Sequence, residues 1–188
     1  MKKKIFVLAA VVACIAIMAA GTLAYYTSES TAHNVITSGG IDIEVVNKTV
    51  TESGAKVDFP EEGITGIMPG TSVSKIVTVK NTGVSEAWIR IKLEAAIESA
   101  DGEALDTDVM TYKILPGWKK VGDYYYYTKP VAALASTTQL IEEVVFNTSM
   151  GNEYQNCTAN LFVSAEAVQK ANNGSTVLEA KGWPETAK

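Results

Sequence analysis

From residue 41 onward the chain alternates. Ile41, Ile43 and Val45 are separated by Asp42 and Glu44, and Ile89, Ile91 and Leu93 by Arg90 and Lys92. Ala159, Leu161, Val163, Ala165 and Ala167 alternate with positions that include Asn160, Ser164 and Glu166. Successive side chains of a strand point to opposite faces, so one apolar set at period two predicts half-buried strands. Residues 73–80 and 140–147 are rich in β-branched side chains and predict two more. Turn formers punctuate these runs at Pro69-Gly70, Asn81-Thr82-Gly83, Pro116-Gly117, Gly122-Asp123 and Asn172-Asn173-Gly174. Residues 118–127 read as a hairpin about Gly122-Asp123, with Tyr124 and Tyr126 on one face and Tyr125 and Tyr127 on the other. Their ordinary role is cross-strand packing with the hydroxyl at the surface, and a sugar platform is the functional alternative. Residues 94–98 suggest a helical turn and 99–108 an acidic loop. Short strands, regular turns and little helix predict an all-β domain of two packed antiparallel sheets with short helical turns in its loops.

The first forty residues follow a different pattern. Lys2, Lys3 and Lys4 precede a stretch from Ile5 to Ser28 without a charge, which is the layout of a signal peptide. Thr22 and Ala24 supply the small side chains that the narrow pockets of a signal peptidase require, which places cleavage between Ala24 and Tyr25. Residues 5–24 are also long enough to cross a hydrocarbon core of about 30 Å, so a retained anchor is an alternative. Val11-Val12-Ala13-Cys14 loosely fits a lipobox, with Cys14 as the lipidated residue. Each reading places the body outside the cytoplasm, secreted or held at the cell surface. No LPxTG-like signal or apolar segment follows Trp183-Pro184, so wall attachment through the C-terminus is not expected. The expected organisation is a signal peptide over 1–24, an N-terminal segment over 25–40, a sandwich over 41–171 and a tail over 172–188.

Charge narrows the partners. Without the three leader lysines, 13 basic residues face 21 acidic ones, a net charge of about −8. Such a surface repels itself and argues against nucleic acid. Cys157 remains without an intramolecular partner once Cys14 leaves, and reads as a small buried side chain in a strand. Catalytic chemistry is not visible. His33 is the one histidine; there is no HExxH to place two imidazoles on one helical face, no GxSxG and no phosphate-cradling glycine loop. Asp101, Glu103, Asp106 and Asp108 lack the spacing of an EF-hand and read as a solvated loop. No catalytic residue, metal ligand or cofactor is assigned, and the protein is not expected to be an enzyme.

Several motifs together resemble one family. Gly21-Thr-Leu-Ala-Tyr-Tyr-Thr, Asn34-x-Ile36-x-x-Gly39 and Ile41-Asp-Ile-Glu-Val resemble the TasA/camelysin family of Gram-positive bacteria, exported through a SipW-type signal peptidase. Ile67-Met-Pro-Gly-Thr-Ser-Val-Ser-Lys and Val77-Thr-Val-Lys-Asn-Thr-Gly look like the family's PG and VxNxG strand pair. The tyrosine run and Val163-Ser-Ala-Glu-Ala-Val-Gln resemble its clostridial-type biofilm-matrix branch. The resemblance implies a jelly-roll-like sandwich that assembles with copies of itself into extracellular matrix fibres, together with possible matrix or anchor proteins. It further implies that the freed N-terminal segment acts as a donor strand to the next subunit. Mapped here, Asn34, Val35 and Ile36 are the candidate donor strand and Gly39 and Gly40 its hinge. A tethered surface accessory or adhesion module is the alternative, and a camelysin-like metalloprotease a further one.

Overall fold

The computed structural model describes residues 40–60 and 68–184. Ala24, Tyr25, His33, Asn34, Val35, Ile36 and Gly39 lie outside the described residues. Strand β1 (Ile43–Val50) runs antiparallel between β2 (Lys56–Asp58) and β4 (Ile76–Asn81). A second sheet has β10 (Glu143–Phe146) between β3 (Ser72–Ser74) and β7 (Met110–Tyr112). The third is ordered β11 (Thr158–Gln169), β5 (Ala87–Glu98), β9 (Tyr124–Tyr127), β8 (Trp118–Val121), with β6 (Ala104–Leu105) on the end of β5. All pairs are antiparallel.

Main-chain bonds stitch the first two sheets into one layer. Lys75 N–H donates to Glu142 O (3.0 Å), Leu140 N–H to Val77 O (2.8 Å), Thr137 N–H to Val79 O (2.9 Å) and Asn81 N–H to Ala135 O (2.8 Å). Ile43, Val77, Val79, Val144 and Phe146 from this layer share one buried cluster with Ile89, Ile91, Tyr125, Tyr127, Val163 and Ala165 from the other. The result is the predicted sandwich, with its core between the two layers.

The hairpin at 118–127 forms with the expected turn, Gly122 supplying φ +59. Tyr125 and Tyr127 face the core and are buried. The outer pair differs from a surface role. Tyr124 donates its hydroxyl to Glu166 Oε1 (3.0 Å), and Tyr126 OH accepts from Arg90 Nη1 (3.2 Å).

Other local expectations are corrected. Residues 94–98 are strand, not a helical turn. Beyond Leu93, β5 keeps pairing one-to-one with β11 as far as Thr158, and Ile97 is buried. Core burial and cross-strand pairs there outweigh the helix preference of Ala and Glu. The run at 73–80 is two strands broken at Lys75, because β3 pairs with β10 while β4 pairs with β1. The run at 140–147 narrows to β10. The loop at 99–108 is interrupted by β6, because Leu105 pairs with Ile97. Cys157 precedes β11 rather than lying in a strand and is half-buried against the core. One short helix, the 3-10 turn at Asn152–Tyr154, is present among the described residues.

The tail is packed. Trp88, Val168, Val177 and Ala180 form a second buried cluster on the outer face of the third sheet, with Tyr126 and Trp183 against it. Trp88 Nε1 donates to Asn173 O (2.9 Å), and Asn173 Nδ2 ties Gln169 O to Lys181 O. The start of β5 is thereby buried on both faces.

Candidate functional site

The strongest candidate for function among the described residues is the root of the N-terminal segment. Gly40, with φ +77, turns the chain into Ile41. Its carbonyl accepts from Val84 N–H (3.2 Å), and Asp42 O accepts from both Thr82 N–H (2.8 Å) and Gly83 N–H (3.0 Å). The VxNxG motif builds this clasp. Asn81, at the end of β4, is fully buried. Its amide donates to Ser85 O (2.8 Å) and Val131 O (2.9 Å), and its Oδ1 accepts from Gly83 N–H (3.0 Å). A side chain at 83 has no room, since a Cβ there would lie 2.6 Å from Asp42 N and 2.7 Å from Gly40 O. Gly83→Ala is therefore expected to cost about 1–3 kcal/mol of stability, measurable by urea unfolding; an unchanged midpoint would mean the backbone contact is not required.

The PG motif works at a second turn. Gly70, with φ +78, donates its N–H to Phe146 O (2.9 Å), and Thr71 Oγ1 closes the turn on Met68 O (2.6 Å). The turn thus feeds β3 into its pairing with β10.

Arg90 anchors the tail. Its Nε and Nη2 lie 2.7 and 2.6 Å from Glu166 Oε2, and Nη2 also donates to Pro184 O (3.4 Å). The guanidinium stacks 3.8 Å from the centroid of Tyr124 and 4.6 Å from that of Trp183. Burial opposes its charge, but hydrogen bonds with Tyr126 and Glu166 and the Glu166 charge outweigh that, so its pKa rises. The rings that a sugar platform would need therefore already hold internal partners.

Two polar groups sit at the end of the first layer. Lys75 lies at the break between β3 and β4, and its Nζ lies 3.9 Å over the Phe59 ring. Burial pulls its pKa down to about 8 from 10.5. Asn47, opposite Val77 on β1, has a buried Oδ1 with no hydrogen-bond partner among the described residues. Because the folded pKa of Lys75 is depressed, its cost is full below about pH 8 and fades as pH rises to 10.5. Lys75→Met is expected to stabilise the protein at pH 7 by about 1–3 kcal/mol, with the advantage shrinking toward pH 10. Denaturant unfolding at both pH values checks this, and a pH-independent difference would refute burial as the cause. Sequence reading took 73–80 as one β-branched strand and did not single out Lys75.

A shallow recess of about 330 Å³ is lined by Lys92, Leu93, Glu94, Tyr112, Lys120, Asp123 and Tyr125. Burial, reinforced by Tyr125, pushes the Tyr112 hydroxyl up to about 12, so it stays a protonated donor at neutral pH. The acidic loop does not gather into a cation site. Asp106 Oδ1 accepts from Asp108 N–H (2.9 Å), and Asp106 O accepts from Tyr154 OH (3.0 Å).

The family model for camelysin metallo-endopeptidase matches residues 1–173. The chain belongs to the camelysin, or TasA-type, family. No curated protein and no solved structure gave a match. The family's description names a metallo-endopeptidase, and the donors among the described residues of this camelysin-family chain do not assemble the site that chemistry needs. Among the described residues no three of His, Cys, Asp and Glu converge as metal donors, and the sequence's one histidine, His33, lies outside them. A catalytic zinc needs three protein ligands and an open position, commonly with two imidazoles.

The sites expected at Ala24, Tyr25, Asn34, Val35, Ile36 and Gly39 fall outside the described residues, while Gly40 stands at the root just described. Sequence reading treated Asn81-Thr82-Gly83 as a turn and a family motif, but did not give Asn81 its role as the pin of that root. An Asn two residues before a glycine, at the end of a β-branched run, was the available signal.

Proposed function

We propose that this protein is an exported structural subunit of extracellular matrix fibres, joined by donation of its N-terminal segment to the next copy after residues 1–24 are removed. One observation carries the reading. The outer edge of β11, a strand of 12 residues, has no main-chain partner among the described residues. An unpaired edge of that length is a template for strand addition, where main-chain bonds give affinity and alternate side-chain pockets give specificity. Family membership, the sandwich and the pinned root at Gly40 support the same reading. A head-to-tail contact that does not close produces a filament. The partners are then other copies of the chain, a SipW-type signal peptidase acting between Ala24 and Tyr25, and matrix or anchor proteins. The site of action is the extracellular matrix or cell surface.

Electron microscopy with light scattering on two versions, one beginning at Tyr25 and one at Ile41, tests this. Fibres are expected from the first and monomers from the second; monomers from both would remove strand donation as the mechanism. The metallo-endopeptidase reading has the family's name in its favour. Zinc analysis of the purified protein is expected to find far less than one ion per chain and no chelator-sensitive proteolysis. Stoichiometric zinc with such activity would reverse the assignment.

A further inference from the structure

The pole of the sandwich from which the N-terminal segment departs carries an exposed apolar knob. Residues 132–135, Ala-Ala-Leu-Ala, are all exposed, and Leu134 is 73% accessible. Val84, on the facing loop, is 85% accessible. Asn81 holds the two loops together. Its N–H bonds Ala135 O, and its amide bonds Ser85 O and Val131 O, so Leu134 and Val84 each adjoin a residue bonded to Asn81. Leu134 also has φ +63. A leucine in the left-handed region is strained, and such strain persists where the surroundings or the function demand it. Consecutive exposed apolar residues on an ordered loop are unfavourable in an isolated soluble domain.

The two loops of this pole carry no charge of their own, although the exposed Asp42 is bonded to Thr82 and Gly83 beside them. No charged residue lies between Lys80 and Glu86 or between Lys129 and Glu142, in a chain of net charge −5. Copies that repel one another elsewhere can bring these loops into contact without burying a charge of the loops themselves.

We infer that the knob formed by residues 132–135 and Val84 is a contact surface for a second copy of this chain, the copy that receives the N-terminal segment. The inference rests on the strand-donation reading and names the surface that accompanies it. The segment over 25–39 ends at Gly40, whose carbonyl is bonded by Val84 itself. Fully extended, those residues reach at most about 50 Å, so a copy that holds the segment is kept within that distance of this pole. Tethering raises the local concentration of the second contact, and an apolar patch that is weak alone then becomes effective. The contact joins the pole of one copy to the body of the next. It is therefore heterologous and propagates along a fibre.

The test uses the exported protein carrying Val84→Ser with Leu134→Asn. Asparagine tolerates positive φ, so folding is expected to be unimpaired, and the thermal midpoint serves as the control. Light scattering against concentration is expected to show assembly by the wild type, and by the variant only at about tenfold or higher concentration. Equal assembly by the two would overturn the knob and leave strand donation standing. A wild type that stays monomeric at every concentration would overturn the strand-donation reading, and the occupant proposed here with it.

Discussion

Arg90→Met is expected to lower stability by about 3–5 kcal/mol and to loosen the C-terminal tail. The substitution keeps the length and apolar stem of the side chain, so lost packing is small. What it leaves behind is the Glu166 carboxylate, whose side chain is 13% exposed and loses both short bonds to the guanidinium. Tyr124 OH remains as a neutral donor to Glu166, which softens the penalty without removing it. The tail simultaneously loses the bond at Pro184 O and the cation stacked against Trp183. Removing both charges with Arg90→Met and Glu166→Leu should recover much of the loss, because the unpaired buried charge is the main cost. Guanidinium unfolding followed by tryptophan fluorescence measures the stability, and limited proteolysis beyond residue 170 reports the tail. A single variant within about 1 kcal/mol of wild type, with an equally protected tail, would show that the clasp is dispensable.

Asn81→Ala should cost about 3 kcal/mol or more. The side chain is fully buried and satisfies three main-chain groups, the carbonyls of Ser85 and Val131 and the N–H of Gly83. Alanine leaves all three without that partner, and water has poor access to replace it. The damage is local to the root. Thr82, Gly83 and Val84 amides, which bond Asp42 and Gly40, are expected to exchange hydrogen faster than in the wild type. If stability falls but these amides stay as protected as before, Asn81 supports the core without pinning the segment. If the root loosens, fibre formation should fail at concentrations where the wild type assembles, since the donor segment would no longer leave from a fixed point.

Much of this architecture was legible in the chain. Alternation at 41–45, 89–93 and 159–167 is a local property of strands with one buried face, and its apolar positions are found in or against the core. The hairpin at 118–127 was readable because Gly122 meets a steric demand confined to its own turn. The leader pattern and the spacing of Asn81 and Gly83 were likewise visible, and they led to the family. The outer face of β5 was not. Trp88 and Arg90 occupy positions that alternation assigns to solvent, yet both are buried, because Val177, Ala180 and Trp183 return from more than eighty residues away to cover them. Strand at 94–98 was decided by the partner β11, which rewards extension more than Ala and Glu favour a helix. The break at Lys75 arose because one continuous run serves two neighbours, β1 and β10. Sequence by itself determined the alternating strands at 41–45, 89–93 and 159–167 and the hairpin turn at Gly122, since side-chain period and positive φ act within a few residues. Only the tertiary structure decided which edges pair, which polar residues are buried and where the N-terminal segment is pinned, because those outcomes depend on contacts between residues distant in the chain.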